Sequence, residues 1–342
     1  MLGRFPMTGF LPLHADPGDN IIPLEGWRYF TAWSFEPLPL IMILLTGGLY
    51  LYAVHLLHKR GDKWPVLRTV YFVGFGLGSL SFALFSFLGT YDTVLFWLHM
   101  LQHMLLNMIA PVFLVAGAPV TLALRTLPKK PRKWLLAVLH SMFGKIMLFP
   151  PLTTFLMIAS PFALYLTGWY NLTLNSNAAH DFLHVYMVVV GCMFFFPLLG
   201  VDPVPLNIPY PIRFILFLLT MPFHAFLGVT IMGSTRLIAE DWYLAFGRTW
   251  GPSPLEDQTL AGGLMWATGD ITMFAAMITI FIQWVGDSKR ESKRVDRAMD
   301  RQDALAAKRA AMAEGGAVGY DAQRRQAPAT TDADTVGDEE HQ

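Results

Sequence analysis

The feature that most constrains this chain is a series of long apolar runs with almost no charge inside them. About 20 consecutive apolar residues match the hydrocarbon thickness of a bilayer, and backbone groups in lipid must satisfy their hydrogen bonds within the segment. Helices are the simplest answer. Seven runs meet this description, at about 38–57, 67–88, 93–116, 147–169, 178–200, 212–232 and 260–285. Only 15% of the 342 residues are charged, against about 25% in a soluble domain. The expected fold is an all-α polytopic membrane protein with a seven-helix transmembrane bundle.

The segments between and beyond the runs refine this. Residues 1–36 mix Pro, Gly and Asp and end in Trp27, Tyr29, Phe30, Trp33 and Phe35, aromatics that suit a membrane interface. No basic region followed by an apolar run opens the chain, so no cleavable signal peptide is expected. Trp134 to Phe143 is too short to span and follows Arg125, Lys129, Lys130, Arg132 and Lys133, so a cytoplasmic interfacial helix is expected near 132–144. Residues 37–286 form the expected membrane domain. Residues 287–342 are charged and alanine-rich, and large apolar residues become scarce beyond about 313; the expectation is a short helix, then a largely disordered tail. Lys and Arg cluster after the first, third and seventh runs, and the loops after the second and fourth hold none. The positive-inside pattern therefore places the N-terminus outside and the C-terminus in the cytoplasm.

Several function classes drop out. Net charge is zero, so nothing draws the chain to nucleic acid. There is no phosphate-binding glycine loop, no convincing nucleophile–base pair and no His-Glu-x-x-His zinc motif, so no enzyme activity is expected. Cys192 is the sole cysteine; a metal site would rest on His, Met, Asp or Glu.

Histidine placement supplies the positive signal. His99 and His103 lie four residues apart in the third run, and His180 and His184 repeat that spacing in the fifth. On a helix this sets both rings on one face, one turn apart. His224 lies in the sixth run and Asp270 in the seventh. The topology puts all six in the outer half of the membrane, where polar groups turn toward the bundle interior. A lone intramembrane His is more often a packing residue, but two such pairs on one side argue for a joint metal site. The candidate ligands are His99, His103, His180, His184 and His224, with Asp270, Met100 and Met104 in support. Met108, Met221 and Met265 lie nearby in sequence or depth, although Met is also a common filler of membrane cores. Imidazole and thioether suit copper, and Cu(I) is favoured. Haem b held between two histidines is the alternative. His55 and His58 read as interface residues; His14, His140 and His341 fall outside the cluster.

The run Phe96-Trp97-Leu98-His99-Met100-Leu101-Gln102-His103-Met104, followed by Ala110-Pro111 and Gly117-Ala118-Pro119, resembles the CtaG family of multi-spanning bacterial cytochrome c oxidase assembly factors. His180-Asp181-Phe182-Leu183-His184, Met221-Pro222-Phe223-His224 and Asp257-Gln258-Thr259-Leu260-Ala261-Gly262-Gly263 are similar to its other motifs. The resemblance covers about residues 38–286. It implies a protein of the bacterial cell membrane that assists assembly of a haem–copper oxidase, with copper supply as its inferred role. Its partners would be oxidase subunits and a periplasmic or extracytoplasmic copper donor. A metal-free scaffold for the oxidase is the other alternative. Some relatives carry a fused copper-resistance membrane module, for which this chain has no room.

Overall fold

The computed structural model describes residues 15–17, 21–206 and 208–326, and every regular element among them is helical. His14 and His341 lie outside the described residues. The helices that position the site are α1 (Pro37–Lys59), α2 (Val66–Tyr91), α3 (Phe96–Thr126), α4 (Lys129–His140), α5 (Pro150–Leu166), α6 (Trp169–Leu174), α7 (Asn177–Leu199), α8 (Tyr210–Gly233), α9 (Glu240–Ala245) and α10 (Pro254–Gln326); α6 and α9 are short connecting helices. Six of them, α1, α2, α3, α7, α8 and α10, are long and apolar enough to cross a membrane. The chain is a multi-pass membrane protein. The fourth run forms α5, whose 17 residues rise about 25 Å, less than the ~30 Å hydrocarbon core. Pro150 and Pro151 open it, and Thr167 and Gly168 separate it from α6.

The chain forms two compact units, one ending at Ile282 and a second beginning at Gln283. In the second, the helix continues past 313 to Gln326, beyond the short helix expected from the lack of large apolar residues. Alanine and long charged side chains are strong helix formers without a core to pack on. Beyond Gln326 lie residues outside the described set.

In the first unit, α2 packs on α3, α3 packs on α7, and α5 packs on α7 and α8. Small residues permit the closest approaches. A Cβ on Gly191 of α7 would run into the Asn107 carbonyl of α3, and Gly228 of α8 and Gly262 of α10 each face the other's carbonyl oxygen. Outward leucines, isoleucines and phenylalanines, such as Leu38, Leu44, Phe226 and Ile271, are exposed, as lipid-facing residues would be. In α4 no residue is buried, and Trp134 and Val138 lie open beside the basic first turn. That agrees with an amphipathic surface helix, now bounded at 129–140.

α3 is not uniform. Leu105–Ile109 is π-helical, a wider turn that often accompanies functional sites. Near its end Ala118 adopts a left-handed conformation (φ 52°). Asp202 then caps the final turns, accepting from the backbone N–H of Val120 and Thr121 at 3.1 and 2.7 Å. At the other end Asp257 of α10 accepts from the backbone N–H of Phe96 and Trp97 at 3.0 and 2.8 Å. The helix that carries the opening histidine pair is thus held at both ends by carboxylates from distant sequence.

Candidate metal centre

α3 and α7 lie against one another, and their i, i+4 pairs meet. The rings of His99 and His103 stand 3.8 Å apart centre to centre, and those of His180 and His184 4.5 Å apart. Across the helix interface His99 lies 5.7 Å from His180, and His103 5.8 Å from His184. Ligating atoms of His99, His103 and His180 all fall within 4.8 Å of one another, and so do those of Asp92, His180 and His184. His180 belongs to both groups. The four imidazoles and one carboxylate form a continuous patch buried at 0–7% exposure.

The hydrogen bonding of this patch is incomplete in an informative way. Neither ring nitrogen of His99 has a hydrogen-bond partner, although the residue is fully buried. His103 contacts the Tyr165 hydroxyl through Nδ1 at 2.9 Å, and its Nε2 has no partner. If Nδ1–H donates to the tyrosine oxygen, Nε2 keeps a lone pair for a metal. Buried polar groups are normally paired, and leaving one unpaired costs about 1–3 kcal/mol. Orphaned nitrogens that converge within 4.8 Å of one another could serve as donors to a metal ion.

Asp92 sits in the tight connection between α2 and α3, with Oδ2 3.4 Å from His180 Nε2. Its Oδ1 accepts from the Thr93 N–H at 2.7 Å. Burial pushes its carboxyl well above the usual carboxylate range, so a nearby cation would stabilise the ionised form. Gln102 is anchored on the Ala83 carbonyl through Nε2 at 3.1 Å. Tyr170 of α6 packs its ring tilted against His99, 4.8 Å centre to centre.

The sequence-predicted residues separate into two places. His99, His103, His180 and His184 come together. His224 lies in neither group of converging ligands; it sits on α8 beside Gly269 and Asp270 of α10. Asp270 therefore stands near His224 and outside both of those groups. Met100 and Met104 are buried in the apolar core. Asp92, Tyr165 and Tyr170 were not foreseen as site residues. Asp92 had a usable signal, as a lone acidic residue between two apolar runs, seven positions before His99.

The fold and the site together define a class: a multi-pass helical membrane protein with a buried cluster of histidines. The chain matches the family described as cytochrome c oxidase caa3 assembly factor (Caa3_CtaG) over residues 48–287, and it belongs to that family. It is also similar to uncharacterised proteins of Mycobacterium bovis and Mycobacterium tuberculosis, each 34% identical over 281 residues, and of Mycobacterium leprae, 32% identical over 280. These matches cover 80% of this chain but 42% of each relative, so the chain spans less than half the length of the curated relatives it matches. No solved structure matches the chain.

Proposed function

We propose that this protein holds copper, favouring Cu(I), at the His99/His103/His180/His184 centre and delivers it to a haem–copper oxidase subunit during assembly. The observation that carries the reading is the fully buried His99, both of whose nitrogens lack hydrogen bonds within a cluster of ligand atoms less than 4.8 Å apart. Family membership supplies the assembly context. Imidazole donors and a carboxylate suit copper, and ligand exchange needs no covalent turnover. In this reading α5 is the seventh crossing, with the bilayer thinned around it. The N-terminus lies outside and the C-terminus in the cytoplasm. The centre then faces the outer side of the bacterial plasma membrane, where an extracytoplasmic donor could load it.

The helix packing favours an ion over haem. A porphyrin held between imidazoles of α3 and α7 would have to part helices that meet so closely that a Cβ on Gly191 would run into the Asn107 carbonyl. A haem protein would show a Soret band after purification; a copper-loaded one would not.

The test is metal analysis of purified full-length protein after exposure to Cu(I), wild type beside a His99→Ala/His103→Ala double variant. Wild type should retain copper through gel filtration, and the variant should lose the copper held by this centre. Equal retention by both would overturn the assignment. In cells lacking the native gene, a variant that folds but leaves oxidase activity at wild-type level would favour the metal-free scaffold.

A further inference from the structure

The polar groups that the four-histidine centre leaves unused gather around Gly269. His224 is 2% exposed, and its Nδ1 lies 3.2 Å from the Thr220 carbonyl oxygen. A carbonyl can only accept, so Nδ1 carries the proton and neutral His224 keeps a lone pair on Nε2. No donor reaches that atom. Asp270, on the next residue of α10 after Gly269, accepts from the Trp266 indole N–H through Oδ2 at 2.8 Å. Its Oδ1 is buried without a partner.

Gly269 leaves a gap between two donors. A Cβ there would lie 3.8 Å from His224 Cδ2, the ring carbon bonded to Nε2, and 3.8 Å from the Met108 sulfur. Met108 is fully buried and lies in the π-helical stretch of α3. The wider turn brings positions five apart toward one face, which relates Met108 to His103. Their separation is about 7.5 Å of helix rise.

We propose that His224 Nε2 and Met108 Sδ form a second metal site, taking a soft monovalent d10 ion such as Cu(I). One imidazole and one thioether make a low-coordinate soft donor pair, distinct from the harder imidazole–carboxylate set around His180. A cation inside an apolar bundle needs a counter-charge, and Asp270 supplies it. The proposal rests on the copper reading above and deepens it: two sites of different softness stand in series along α3, so ions can pass between them by exchange of neighbouring ligands.

Silver(I) and zinc(II) separate the two sites, because Ag(I) accepts thioether and Zn(II) does not favour it. Full-length protein in detergent is saturated with each ion, desalted and analysed for bound metal. Met108→Leu conserves volume and removes the sulfur. Gly269→Ala removes no ligand and places a methyl in the gap at ordinary contact distances. Each variant should bind one equivalent of Ag(I) less than wild type and the same amount of Zn(II). The His99→Ala/His103→Ala variant should keep the Ag(I) that Met108→Leu loses. Unchanged Ag(I) binding in both Met108→Leu and Gly269→Ala would overturn the second site while leaving the first standing. Retention of all Zn(II) and Ag(I) by the His99/His103 variant would instead overturn the first reading.

Discussion

Tyr165 occupies one nitrogen of His103. Its hydroxyl lies 2.9 Å from Nδ1, and Nε2 is left without a hydrogen-bond partner. Such supporting hydrogen bonds typically change metal affinity by about 10- to 100-fold. Tyr165→Phe should therefore weaken binding at the centre about 10-fold by competition titration, with helical circular dichroism unchanged. An affinity equal to wild type would mean that His103 needs no orienting partner. Asp92→Asn tests charge at the same centre. It keeps the shape and an acceptor for the Thr93 N–H but removes the carboxylate beside His180. The expected result is weaker binding of a divalent probe such as Zn(II). A monovalent probe should lose less, because Coulomb attraction to the carboxylate scales with ion charge. The histidine pairs were legible from sequence because i, i+4 spacing survives any rotation of the helix. Asp92 was not, because its neighbour His180 is 88 residues away, and nothing local reports how two connections pack. His224 illustrates the same limit. Depth along the membrane could be counted from the ends of the runs, but the side of the bundle that α8 presents could not.

At the scale of elements, the centre depends on the end of α3 being fixed and on α3 touching α7. Asp257 holds two N–H groups at the first turn of α3 and pairs with Arg248 at 3.2 Å, both side chains being 1–5% exposed. Burial lowers the Arg248 pKa and the Asp257 charge raises it. Asp257→Ala would leave both backbone donors and a buried guanidinium unpaired. Breaking a buried pair from one side costs about 3–5 kcal/mol. We expect a clear drop in thermal midpoint and, because His99 begins one turn later, weaker metal binding. Glycine at 191 acts on the interface itself. Gly191→Ala would push the Asn107 carbonyl away and separate the two helices that carry the histidine pairs. Loss of folded protein or loss of metal are both expected; full retention of each would mean that this crossing is not tight. The helices were visible as apolar runs, yet their interruptions were not. The π-helical stretch of α3 and the left-handed Ala118 reflect tertiary packing and the Asp202 cap, which no local pattern encodes. Pro150 and Pro151 set where α5 begins, the helix runs on through Pro161, and Thr167 and Gly168 separate it from the next turn.

At the scale of the whole molecule, the centre is sealed by segments that lie far apart in the chain. Described residues of the N-terminal segment pack on the α2–α3 connection: Thr93 donates its hydroxyl to the Ala15 carbonyl at 3.1 Å, and Tyr91 donates to the Ile22 carbonyl at 2.9 Å. From the other side Trp242 of α9 donates its indole N–H to the Thr93 carbonyl at 2.8 Å. Tyr243 of the same turn bonds to Tyr170, whose ring packs against His99. These contacts explain why four imidazoles and a carboxylate remain 0–7% exposed. They were unreadable in the sequence, where residues 1–36 and the loop before the last run look like ordinary polar connections. Exchange of an ion, as proposed above, requires a buried centre to open, and the bonds that meet at Thr93 are the place to test that opening. Trp242→Phe removes one of them and keeps an aromatic ring in place. A net hydrogen bond is worth about 1 kcal/mol, which corresponds to about a five-fold change in the open population at 25 °C. Stopped addition of Ag(I) to the wild type and to the variant should show loading about five-fold faster in the variant, with the same final stoichiometry. Equal rates would place the barrier elsewhere, and lower stoichiometry would mean that Trp242 supports the ligands themselves.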